Sequence, residues 1–197
     1  MNIIGLHGVR SNGRRSTDKL LKEIHHQDPT LEIVTTLDYK LSIIDTYCTD
    51  KVADVVGIVY DAYQDGDVIV THSAGALIMR ELLTQLYITN RPPPPVIFMF
   101  NAALDVNTPF DSDTYGMIVN VVDTKDYALF FAQFLPFNPM GQMGRIGHPT
   151  ANDVNRIKNI VDKDQSNKSK LGHGDYFEDD QIERVADRVI RVIKKYT

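Results

Sequence analysis

The string Asp67-Val68-Ile69-Val70-Thr71-His72-Ser73-Ala74-Gly75 puts a nucleophile where chain geometry can activate it. A β-branched run enters a tight turn, serine stands at the tip, and a stretch of helical period leaves at once. Such a strand–turn–helix bend, the nucleophile elbow, lifts a serine hydroxyl above the end of a sheet. Positions two before and two after the serine must be small, because strand and helix nearly touch there. Gly75 meets that demand, whereas Thr71 stands where glycine is usual and implies more crowding. The plainer reading of Ser73 is a helix cap, and the candidate partners that follow weigh against it. His72 adjoins Ser73 in sequence, where side chains diverge, so its expected role is structural, hydrogen-bonded beneath the turn.

An attacking serine needs a base within reach, an acid to fix the tautomer of that base, and donors for the oxyanion. In this arrangement acid and then histidine follow the serine along the chain. Only His148 and His173 lie beyond Ser73. His173 sits between Gly172 and Gly174, just ahead of a C-terminal helical stretch, and is the favoured base over His148 in Gly147-His148-Pro149. Three aspartates compete for the acid. Asp126 opens the helical stretch Tyr127 to Leu135 and is favoured; Asp123 ends the preceding strand, and Asp105 follows the strand before that. The oxyanion donors expected are the N–H of Ala74, directly after the nucleophile, and the N–H of Val9, in the turn His7-Gly8-Val9 after the first strand. His7 precedes Ser73 at a strand end and is not expected to be the base.

Other chemistries fit the spacing less well. Gly5, Gly8 and Gly13 match neither Gly-x-Gly-x-x-Gly nor a phosphate loop ending in Gly-Lys-Ser/Thr, so no nucleotide cofactor is expected. Asp175, Glu178, Asp179 and Asp180 read as acidic residues at a helix start, with no metal-ligand spacing around them. With Cys48 the only cysteine, neither an intrachain disulfide nor a cysteine zinc cage can form. The net charge of −5 argues against a nucleic-acid partner. Arg10, Arg14 and Arg15 form one local basic cluster, read as a solvated loop rather than an anion site. No apolar run approaches the roughly 20 residues of a transmembrane helix, and the short apolar start, interrupted at Arg10, is not expected to be a signal peptide. The expected location is cytoplasmic.

Short apolar runs must position these residues. They span Ile3 to Leu6, Leu31 to Thr36, Val68 to Thr71, Val96 to Phe100 and Met117 to Val122, the pattern of strands buried on both faces. Helical periodicity covers Thr17 to Gln27, Thr46 to Gln64, Ala74 to Tyr87 and Gln181 to Tyr196. Alternation of this kind predicts an α/β fold, a three-layer α/β/α sandwich on a mostly parallel sheet. All 197 residues are expected to form one domain. The stretch 135–171, rich in proline and glycine, reads as irregular. With Phe137, Met140 and Met143 it is a candidate lid over a cleft, with packing on the body or a homodimer contact as alternatives.

His7-Gly8, Thr71-His72-Ser73-Ala74-Gly75, Asp126-Tyr127 and His173 together resemble the α/β-hydrolase superfamily, in particular its small serine esterases and lipases. Asn120 with Asp126-Tyr127-Ala128-Leu129 looks like the strand-end asparagine and Asp-x-x-Leu acid loop of that family, and favours Asp126. His173-Gly174-Asp175-Tyr176 looks like its histidine loop. The resemblance implies a parallel sheet flanked by helices, a Ser73–Asp126–His173 triad, an oxyanion hole at Val9 and Ala74, a small-molecule acyl substrate and no cofactor. The chain departs in opening on the oxyanion strand, which implies a minimal sheet of five to six strands. Hydrolysis of a carboxylic ester is the expected reaction. Acyl transfer, thioester or amide cleavage, and non-catalytic binding on the same scaffold are the alternatives.

Overall fold

The computed structural model of the protein describes residues 1–9, 17–34, 37, 39–132, 134, 141–152, 154–161 and 173–197. Six strands among them form one all-parallel sheet: β1 (Asn2–Leu6), β2 (Glu32–Val34), β3 (Val68–His72), β4 (Val96–Phe100), β5 (Met117–Val122) and β6 (Ile157–Val161). Their order is β2-β1-β3-β4-β5-β6, so β1 and β3 are neighbours and the later strands add outward in chain order.

Alternation along each strand divides the core in two. Ile4, Leu6, Ile69, Ile97, Met99 and Ile118 pack against α2 (Thr49–Ala62) and α3 (Gly75–Ile88). Ile3, Val68, Val70, Phe98, Phe100 and Val119 face the other way, onto α1 (Thr17–Gln27) and α6 (Asp179–Tyr196). Strands covered on both sides must be apolar at every position, and β3, β4 and β5 are buried throughout. The sandwich is the expected one, with two short helices, α4 (Tyr127–Ala132) and α5 (Met143–Ile146), at the carboxyl ends of the strands.

Three expectations are revised. The stretch 135–171 is not irregular throughout, since it contains α5 and β6. The adjacent polar residues Lys158 and Asn159 interrupt the apolar pattern of β6, an edge strand, so no apolar run signals it. Met143 is fully buried in the core rather than covering a cleft. The helix expected from Thr46 begins only at Thr49: the Thr46 hydroxyl donates to the Ile43 carbonyl (2.6 Å), and a single 3₁₀ turn, Asp45–Tyr47, precedes an extended Cys48. The basic cluster Arg10, Arg14 and Arg15, strand residues 35 and 36, and the lid residues Phe137 and Met140 lie outside the described residues.

Candidate active site

Parallel strands bring their carboxyl ends to one edge of the sheet, where loops of distant sequence meet. Ser73 directly follows β3 with a backbone φ of +54°, the left-handed region that a non-glycine residue enters at a cost. Three main-chain hydrogen bonds hold it there. Its N–H donates to the Phe100 carbonyl (3.0 Å), and its carbonyl accepts from Ala76 (3.1 Å) and Ala103 (3.2 Å). In addition, α3 starts against the backbone of β1: a Cβ on Gly75 would lie 2.3 Å from the Leu6 carbonyl oxygen. Only glycine fits there, as the elbow pattern requires.

Thr71, where that pattern usually has glycine, is fully buried, and its hydroxyl has no hydrogen-bond partner among the described residues. An unpaired buried hydroxyl costs more than the methyl that would replace it. Thr71→Val is therefore expected to raise the unfolding free energy by about 1 kcal/mol. A denaturant midpoint that moves upward with unchanged slope is the measurement.

Ser73 Oγ lies 2.7 Å from His173 Nε2, and His173 Nδ1 lies 2.7 Å from Asp126 Oδ2. Asp126 is fully buried, and its carboxylate takes three donors. Besides His173, these are the Leu129 N–H on Oδ1 (2.9 Å) and the Asn101 side-chain amide on Oδ2 (2.8 Å). Burial pushes the Asp126 carboxyl upward, but bonding to His173, Leu129 and Asn101 outweighs it and leaves the group below the ordinary carboxylate range. With Nδ1 donating to a carboxylate, His173 keeps its Nε2 lone pair toward the serine hydroxyl.

The competing residues are engaged elsewhere. The Asp123 carboxylate accepts from the Lys125 N–H (2.8 Å), and that of Asp105 from the Asn107 N–H (2.8 Å), both turn-forming contacts. His148 is buried, with Nε2 on the Thr108 carbonyl (3.0 Å) and Nδ1 facing Thr150. Asn120 lies within β5 rather than at its end, and donates to the Met143 carbonyl and to Asn159 rather than to Asp126.

The turn after β1 lies directly over Ser73. A Cβ on Gly8 would fall 2.8 Å from Ser73 Cβ and 3.2 Å from its Oγ, so no side chain fits between them. The Tyr39 hydroxyl donates to the His7 carbonyl (2.7 Å) and its ring stacks on the His7 imidazole at 4.1 Å. His7 Nδ1 meets the Gly8 carbonyl at 2.8 Å. Because a peptide unit is planar and trans, holding the Gly8 carbonyl also fixes the Val9 N–H on its opposite edge. Among the described residues, no protein acceptor takes the N–H of Val9 or of Ala74. Ala74, Ala103 and Leu129 form a small apolar cluster with Val9 and Ile43 packed against it, beside both N–H groups.

Sequence reasoning missed Asn101. It follows β4 with φ +49° and is fully buried. The available signal was a lone amide directly after the five apolar residues of β4, at the edge where site residues gather.

No protein-family model and no curated protein matches the chain. Solved structures do. A hormone-sensitive lipase from a metagenome library superposes with a TM-score of 0.60 at 12% identity, covering 100% of this chain and 78% of that one. An extracellular α/β-hydrolase from a Paenibacillus species, described as sharing structural and functional homology with tobacco salicylic acid binding protein 2, gives 0.52 at 10% identity, covering 97% and 98%. The chain is similar to these in fold.

Proposed function

From the α/β-hydrolase fold that the chain carries, we propose that it is a serine hydrolase cleaving a carboxylic-ester-like acyl bond through an acyl-enzyme. The supporting observation is the unbroken hydrogen-bond chain from Ser73 Oγ through His173 to Asp126, 2.7 Å at each link. His173 Nε2 takes the hydroxyl proton as Ser73 Oγ attacks the carbonyl carbon, and Asp126 stabilises the imidazolium. The N–H groups of Val9 and Ala74 receive the oxyanion. His173 then protonates the departing alcohol. Water, deprotonated by the same imidazole, attacks the acyl-enzyme and frees the acid and Ser73. Val9 and Ile43, partly buried and packed on Ala103 and Leu129, offer contact to an acyl chain.

A fluorophosphonate probe followed by peptide mass spectrometry tests this reading. One adduct per chain, on Ser73, is expected, together with turnover of aryl esters. A chain that stays unlabelled, or that carries its adduct elsewhere, would overturn it.

A further inference from the structure

His72 lies directly before the nucleophile and takes no part in the proton transfers above. Its ring does not project toward solvent or into the cleft. It is buried, edge-on to Phe177 at 4.9 Å and tilted against the His173 ring at 5.0 Å. Its Nε2 lies 2.7 Å from the main-chain carbonyl of His173. A carbonyl accepts only, so Nε2 must carry the hydrogen and the ring is held as one tautomer. Nδ1 is then an acceptor, buried and without a partner among the described residues. Phenylalanine would fill the same space without that unmet acceptor, which singles out the Nε2–H donor as the group the position supplies.

We propose that His72 is a positioning residue: it holds the backbone of His173 to β3, the strand that ends at the nucleophile. This rests on the serine-hydrolase reading for its catalytic meaning, though not for its geometry. One strand then carries the serine at its tip and the anchor of the base one residue earlier. Ser73 and His173, 100 residues apart in sequence, are thus set at their separation by a local contact. Tyr176 and Phe177 secure the far side of the loop, through the Val122 carbonyl (3.3 Å) and the Phe100 ring (5.6 Å). Burial lowers the His72 pKa to about 3, with the nearby His173 adding to the effect, so His72 remains a neutral donor while His173 exchanges protons. A site group is held to its working geometry by locked neighbours of this kind.

The test compares wild type with His72→Phe, which keeps an aromatic ring and loses the donor, and His72→Gln, which keeps a side-chain N–H. In wild type, ring-nitrogen NMR is expected to find His72 as the Nε2–H tautomer and His173 as the Nδ1–H tautomer. His72→Phe is expected to mix the His173 tautomers and slow fluorophosphonate labelling of Ser73 at least tenfold, with KM for an aryl ester changed far less than kcat. His72→Gln is expected to recover most of the rate, where a packing role alone would leave it the worse variant. An Nδ1–H tautomer at His72 in wild type overturns the proposal before any substitution is made. Labelling at the wild-type rate in a folded His72→Phe protein, with His173 still one tautomer, also overturns it. If wild type takes no probe while the tautomers respond as stated, the hydrolase reading falls and the anchoring role stands.

Discussion

Ser73→Ala is expected to lower kcat for an aryl ester by roughly 10⁴- to 10⁶-fold while leaving the fold intact. The substitution removes one oxygen from a small side chain. It leaves untouched the main-chain bonds from Ser73 to Phe100, Ala76 and Ala103 that hold the elbow. Alanine tolerates φ +54° no worse than serine, so the denaturation midpoint should stay near that of wild type. His173→Ala should cost about as much activity, and the double variant hardly more than either single one, because nucleophile and base act as one unit. Additive losses would show that the two side chains work separately. Turnover retained in Ser73→Ala would remove the nucleophile.

The second large effect is expected at Asp126→Asn, a fall in kcat of roughly 10⁴-fold. The amide would turn a donor toward His173 Nδ1, favouring the tautomer whose Nε2 hydrogen faces the serine. That imidazole cannot accept the proton of the nucleophile. Stability should fall as well, by about 1–3 kcal/mol at neutral pH, as buried donors lose a charged acceptor. The contact with the Leu129 N–H survives, since asparagine caps a helix start as well as aspartate does. The loss therefore falls on the His173 and Asn101 side.

The sign of the pH dependence follows from the direction of the shift. The folded carboxyl titrates below its ordinary value, so its stabilisation is complete above the unfolded pKa of about 4 and disappears as pH falls through the folded value. Unfolding curves of wild type and variant should converge on acidification. A gap that persists unchanged at low pH would mean the carboxylate charge is not its source.

Much of this architecture was legible because buried parallel strands are apolar without interruption. The runs at β3, β4 and β5 coincide closely with the observed strands. β6 escaped because Lys158 and Asn159 break its pattern at the sheet edge. At the candidate site, the elbow could be read from Ser73 and Gly75, since that bend tolerates few residue types. Local sequence favoured Asp126 over Asp123 and Asp105 without deciding among them, because each follows a strand and each suits a turn. Only the three-dimensional path of the chain brings Asp126, and not the others, to the imidazole. The contacts of Asn101 and Tyr39 were hidden for the same reason, and for His72 a structural hydrogen bond was expected but not its partner. Each acts on a partner at least 25 residues away, and no spacing rule links them.

The strand order also sets a timetable for biosynthesis. β1 and β3, which flank the elbow, emerge from the ribosome before His173, which follows Ser73 by 100 residues, or roughly 5–20 s of translation. On the serine-hydrolase reading, a nascent chain throughout that interval holds Ser73 as an ordinary alcohol without the imidazole of His173, and so is not acylated by substrate. The same delay leaves the sheet face destined for α6 uncovered until that helix has emerged. On the serine-hydrolase reading proposed above, reactivity is thereby withheld until His173 has been made.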